Sequence, residues 1–227
     1  MIISHEHEAY QRRIKGATIG KHNGAYYYSR EIVRNIIPRV QTDRNWVTIN
    51  IPPYGADHAV VFVHNNIDPE GLYGWLDRYE DLIVVCGVPG TMERIKDIGE
   101  PVYLPLSIDV ADVVRYRRPK TKGVAFAGRS VKREGKDFPR AVDYLEEMPR
   151  PKLLAAIAQY EEVYAVGRTA IEAACLGCKI LPYDPRFPDP SIWEVVDNSE
   201  AAAILQKELN KIERRSYGGT MRVGSYR

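Results

Sequence analysis

Residues 163–184 read V-Y-A-V-G-R-T-A-I-E-A-A-C-L-G-C-K-I-L-P-Y-D. The pattern predicts a buried strand at Val163–Val166, a glycine turn, a helix carrying a single acid, and a second apolar strand at Ile180–Tyr183. Gly167-Arg168-Thr169 opens that helix, so its first N–H groups and the positive end of its dipole face whatever binds there. On this reading Glu172, three residues after Thr169, falls in the first turn and points the same way. A helix N-terminus suits a phosphate and a nearby carboxylate suits a ribose diol, so the pair suggests a nucleotide site. The same residues also suit a plain strand–helix–strand unit, in which Glu172 serves the dipole or closes a capping box with Thr169.

Outward from this unit, apolar runs alternate with amphipathic stretches along the whole chain, the pattern of an α/β protein with parallel sheets. Strands are expected at Ala17–Gly20, Trp46–Ile51, Ala59–His64, Leu82–Cys86, Val102–Leu106 and Gly123–Ala127. Helices are expected at Ser29–Ile37, from Asp68-Pro69 towards Arg78, at Pro89–Asp97, Phe138–Glu147, Lys152–Gln159 and Ser199–Arg215. The expected organisation is a first α/β lobe over 1–116, a second over 117–205, and a helix end with a basic tail over 206–227. The chain shows no internal repeat.

With 227 residues, 44% hydrophobic and 27% charged, the chain has the composition of a soluble globular protein. No apolar run approaches the ~20 residues that span a bilayer, and M-I-I-S-H-E-H-E does not resemble a signal peptide. Three cysteines are an odd count. Cys175-Leu-Gly-Cys178 has no second pair and no following histidine, so buried thiols in a reducing cytoplasm are expected rather than a zinc or redox site.

The net charge of +2 is unevenly spread. Residues 1–116 carry 12 basic and 15 acidic groups, 117–140 carry 9 and 2, and 207–227 carry 6 and 2. Concentrated positive charge marks either a polyanion site, a nucleotide diphosphate or a nucleic acid, or a solvated linker.

Gly128 and Arg129 end the strand Gly123–Ala127, with Lys132, Arg133 and Lys136 in the following loop. Ligands of open parallel sheets bind beyond the carboxyl ends of strands, where Gly128 allows close approach and Arg129 can fork onto phosphate oxygens. This loop and the Gly167–Glu172 turn can therefore face one ligand. In the first half, Gly20-Lys21-His22-Asn23-Gly24 is a strand-to-helix loop without P-loop spacing. His64 and Asp68 close the strand Ala59–Val63, and His64 can serve as a base or hydroxyl ligand or simply cap the loop. Tyr26-Tyr27-Tyr28 can stack a sugar or base, or pack.

With these residues in view, the chain resembles the two-lobed GT-B glycosyltransferases: two Rossmann-like lobes facing across a cleft, here in compact form. The resemblance lies in Gly167 to Ile180 with its Glu172-Ala173 pair, in Tyr103-Leu104-Pro105-Leu106-Ser107-Ile108-Asp109, and in Phe126-Ala127-Gly128-Arg129 with Lys132 and Lys136. It implies a nucleotide-sugar donor, UDP-linked by preference, held by Gly128, Arg129, Lys132, Lys136, Gly167, Arg168, Thr169 and Glu172, with Glu172 on the ribose hydroxyls. His64, Asp68 and Arg129 would be the catalytic residues, with no metal required because cations stabilise the leaving diphosphate. Many retaining members carry an acid eight positions before the ribose glutamate; Tyr164 stands there, which leaves the stereochemical outcome open. Compact members of bacteriophage type glycosylate modified DNA bases, and the basic loop and tail suit such an acceptor. Other readings are a glycan, lipid or protein acceptor, or a binding module without transfer.

Overall fold

Ala59–Val63 and Leu82–Cys86 are unbroken apolar pentads, every residue of them buried. Strands buried on both faces read as continuous rather than alternating hydrophobic runs, the signature of a parallel sheet covered on each side. They are the centre of the first of two sheets in the computed structural model, which describes residues 1–4, 24–63, 69–97, 100–128 and 142–219. This sheet contains β1 (Ile2–Ile3), β2 (Asn45–Val47), β3 (Ala59–Val63), β4 (Leu82–Cys86) and β5 (Glu100–Tyr103), all parallel and in the spatial order β1-β2-β3-β4-β5. Its register pairs Ala59 with Leu82 and Val63 with Cys86.

α1 (Gly24–Glu31) runs on as a π-helical stretch, Ile32–Ile36, and a 3-10 turn, Ile37–Arg39. Pro38 lacks the N–H needed to continue an α-helix, and Val40 is already extended. α2 (Pro69–Leu76) and α3 (Pro89–Ile95) each begin on a proline, where the missing N–H costs nothing.

The second sheet contains β7 (Lys122–Gly128), β8 (Asp143–Glu146), β9 (Tyr160–Tyr164) and β10 (Lys179–Leu181), parallel and ordered β10-β9-β7-β8. A two-stranded ladder joins β6 (Ser107–Ile108) to β11 (Val196–Asp197), bringing distant parts of the chain together. α4 (Val110–Val114) follows β6, capped by the Asp109 carboxylate accepting from the Asp112 N–H. α5 (Arg150–Ile157) and α6 (Arg168–Cys175) pack on the second sheet. α7 (Asn198–Gly219) returns to the first half, lying on β5, β6 and the 32–39 segment. The buried side chains of both sheets form one contiguous core.

The protein is thus α/β with parallel, Rossmann-like sheets. Several expected elements take other forms. The stretch 143–146, expected in a helix, is strand β8: Leu145 is buried while Asp143 and Tyr144 are exposed, and the strand pairs with β7. A-V-D-Y-L-E-E-M fits either period, and the free edge of β7 decides it. β9 starts at Tyr160, three residues before the expected strand, because Tyr160 pairs with Lys122 of β7, and Glu162 then meets Lys179 of β10 in register at 3.1 Å. β1, β6, β11 and α4 are too short to leave a periodic signal. α7 runs unbroken across residue 206, so no boundary of secondary structure falls there. The expected strand Ala17–Gly20 lies outside the described residues.

Candidate functional site

The second sheet reverses direction. From β7 the chain moves to β8 on one side, then crosses back to β9 on the other and continues outward to β10. The connections leaving neighbouring strands β7 and β9 therefore part in opposite directions, and an open α/β sheet forms its ligand crevice at such a switch point. Gly128 ends β7 and Gly167 follows β9, so two of the expected site residues sit at this edge.

Gly167 is the N-cap of α6 at φ 63 and ψ −141, a backbone state that side chains disfavour. A Cβ built there would meet nothing within 4 Å, so the glycine is required by its dihedral angles and faces open space. The Gly167 carbonyl accepts from the N–H groups of Ala170 and Ile171. Those of Arg168 and Thr169 have no intrahelical acceptor, as the first N–H groups of any helix must. At Gly128 a Cβ would come within 3.2 Å of the Phe126 ring, so bulk there presses on the sheet face.

Glu172 lies deeper than expected. α6 begins at Arg168 and has no acid in its first turn, and Gly167 rather than Thr169 caps it, so no capping box forms. Glu172 is 3% exposed, and its Oε1 accepts from Arg168 Nε and Arg150 Nε, each at 2.8 Å. Arg150 Nη1 also donates to Asp112 Oδ2 at 2.7 Å, and Asp112 pairs with Arg115 on the exposed side. Arg168 Nη2 donates to Glu31 Oε1 at 2.9 Å. Glu31 Oε2 accepts from Asn35 at 2.6 Å and Asn198 at 2.7 Å, and Ser107 Oγ donates to the Asn198 carbonyl oxygen at 2.9 Å. Residues of α1, α4, α5, α6, α7 and β6 thus meet in one polar network.

Its electrostatics are internally balanced. Burial works against charge on Glu31, but Arg168 and the amide donors outweigh it and hold the carboxyl below its ordinary value. Asp112 is held low in the same way, burial being overcome by Arg150 and then Arg115. For Arg150, burial opposes the charge, and Glu172 with Asp112 outweighs it and raises the pKa. Arg150 Nη2 and Arg168 Nη1 are buried without a hydrogen-bond partner. Buried N–H groups left unpaired are costly, so they mark where a water or ligand oxygen would be welcomed.

Arg168 also lies over the Tyr27 ring, 5.8 Å from its centroid, while Tyr28 is buried in the core. Thr169 is half-buried beside the turn. The three cysteines are buried free thiols. Cys178 Sγ receives a proton contact from Lys120 Nζ at 3.1 Å, and the same ammonium bonds the carbonyls of Ala158 and Leu176, where α5 and α6 end. A cation at the negative ends of two helices is a structural device.

Of the expected site residues, Gly128, Gly167, Arg168, Thr169 and Glu172 are gathered on the second sheet and α6. His64, Asp68, Arg129, Lys132 and Lys136 lie outside the described residues, as do Lys21, His22 and Asn23. Arg150, Glu31, Asp112 and Asn198 were missed, because nothing local in their sequence marks them: four separate elements carry them to Glu172 and Arg168. A polar groove lined by Arg44, His58 and Asp81 lies instead at the amino ends of β2–β4, away from the strand ends where sheet ligands bind. No protein-family profile and no curated protein sequence matches this chain.

Proposed function

We propose that the protein is a glycosyltransferase of GT-B type, moving a sugar from a nucleotide-sugar donor to a hydroxyl acceptor. The observation that carries the reading is the switch point between β7 and β9, flanked by Gly128 and by the Gly167 turn that opens α6. In this reading the donor diphosphate lies against the N–H groups of Arg168 and Thr169, with Arg129, Lys132 and Lys136 as its cations. The leaving group's charge is then met by the helix terminus and those side chains, and no metal is invoked. Both arginines bond Glu172 through Oε1; Oε2 is the atom for a ribose hydroxyl. At 3% exposure Glu172 meets a ribose only after Arg150 or Arg168 shifts. His64 and Asp68, next in the chain after β3, are the candidates on the side of the transferred sugar. A hydroxymethylated pyrimidine in DNA is the proposed acceptor, and a cytoplasmic location goes with it.

The test is hydrolysis or transfer with a panel of UDP-, GDP- and ADP-sugars, alongside nucleotide binding by calorimetry. Turnover of one donor, lost in Arg129→Ala, is the expected result. Nucleotide binding with no turnover of any donor would instead make the protein a binding module on this fold. Absence of both would end the nucleotide reading.

A further inference from the structure

We propose that the outer face of α7 is a docking strip for the phosphate backbone of double-stranded nucleic acid. Lys207, Lys211 and Arg214 stand at i, i+4 and i+7, which places them along one face of the helix. Arg39, at the end of the 3-10 turn packed against α7, lines the same shallow groove. All four are exposed, and no acidic residue lines the groove among the described residues. Glu208 reaches Lys211 at 2.6 Å from the flank, an exposed pair of the sort that contributes little and yields to a phosphate. Gln206 and Asn210 stand between the cations, offering amides rather than charge.

The chemistry of the strip selects among polyanions. The exposed large hydrophobic residues, Met1, Ile2, Tyr54, Tyr73, Tyr103, Tyr144 and Val195, are all elsewhere. A helix that binds a membrane surface inserts apolar side chains, and among the described residues only Ala202 and Ala203 line the groove. A single strand is held by stacking on aromatic rings, and none lines the groove among the described residues. What is left is a straight row of cations from Lys207 to Arg214, about 10 Å long at 1.5 Å per residue, which is the rise of about three phosphates along one strand of a duplex. Contacts of this type are independent of base sequence, because they reach only phosphates. The surface is argued from charge and shape and does not depend on the donor site. Where the transferase reading holds, it supplies the grip on a duplex acceptor.

The experiment is fluorescence anisotropy of the full chain with a labelled duplex of about 20 base pairs, twice the span of α7, over a series of salt concentrations. Four phosphate contacts predict a loss of roughly 100-fold in affinity between about 50 and 200 mM salt. The triple variant Lys207→Glu, Lys211→Glu, Arg214→Glu should lower the log–log slope by about three and weaken binding at least tenfold. Lys152→Glu on α5, exposed and on the helix packed against the second sheet, should change neither. Thermal unfolding checks that the triple variant is folded, and the corresponding triple Gln variant gives the same reading without charge reversal. A folded triple variant with unchanged slope and affinity overturns the proposal. So does a wild-type chain that ignores the duplex at low salt, or that prefers a single strand or phosphatidylserine vesicles. Donor hydrolysis measured on the same preparations separates failure of this surface from failure of the transferase reading.

Discussion

The two sheets use the same parallel pairing for different ends. In the first, the described strands follow one another across the sheet in chain order, so the strand order steps the same way throughout. In the second, the chain doubles back over β7, so the connections leaving β7 and β9 part in opposite directions. The first sheet buries its two central strands completely, whereas β8 and β9 of the second keep acidic residues at their solvent edges. One sheet thus serves wholly as core, while the polar network around Glu172 sits with the reversal in the other.

The sharpest way to break this comparison is Glu172→Ala. Removing the buried carboxylate leaves the Nε–H groups of Arg150 and Arg168 unpaired, with Asp112 and Glu31 still holding their Nη groups, and breaking a buried charge pair typically costs about 3–5 kcal/mol. Chemical denaturation should show that loss, and nucleotide affinity should fall with it; a change within 1 kcal/mol would mean that solvent already screens the network. Ile83→Ala, at a fully buried position of β4, should cost about 3 kcal/mol through lost burial and the cavity left behind. Its nucleotide affinity should match the wild type at temperatures where it is folded. A marked loss would show that the first sheet shapes the donor site directly.

Gly167→Ala should cost about 1–3 kcal/mol, since the Cβ meets no neighbour and only the positive-φ backbone is penalised. Donor binding should weaken more than stability does, because relaxing the turn re-aims the first N–H groups of α6. Equal losses in both measurements would make the turn merely structural. The smallest effect is expected from acid. Glu31 and Asp112 have folded pKa values below their ordinary 4.5 and 3.8, so the folded state holds fewer protons than the unfolded chain in that range. The stability they contribute is complete above those ordinary values and disappears as pH falls through the lower folded ones. In Glu31→Gln the acid limb of a stability–pH profile should flatten, and an unchanged limb would place the acid sensitivity elsewhere.

Much of the fold was legible from residue patterns because parallel strands buried on both faces advertise themselves. Leu82–Cys86 falls where its apolar run predicts, and so does Ala59–Val63 as far as the described residues reach. The glycine turn before α6 was legible too, since few other residues hold φ 63. The environment of Glu172 was not. Spacing alone put it in a first turn pointing towards a bound ligand, whereas α6 begins at Arg168 and the carboxylate lies under two guanidinium groups.

By itself, the sequence determined the parallel α/β class, the positions of the central strands and the glycine at the mouth of α6, all consequences of local periodicity and backbone freedom. Tertiary structure decided that 143–146 is a strand, because an open edge of β7 was there to pair with it. It also decided that Glu31, Asp112, Arg150 and Asn198 surround Arg168 and Glu172. Polar groups separated by up to 167 positions in the chain meet there. Such a meeting is set by how helices pack across sheets, and no window of sequence contains it.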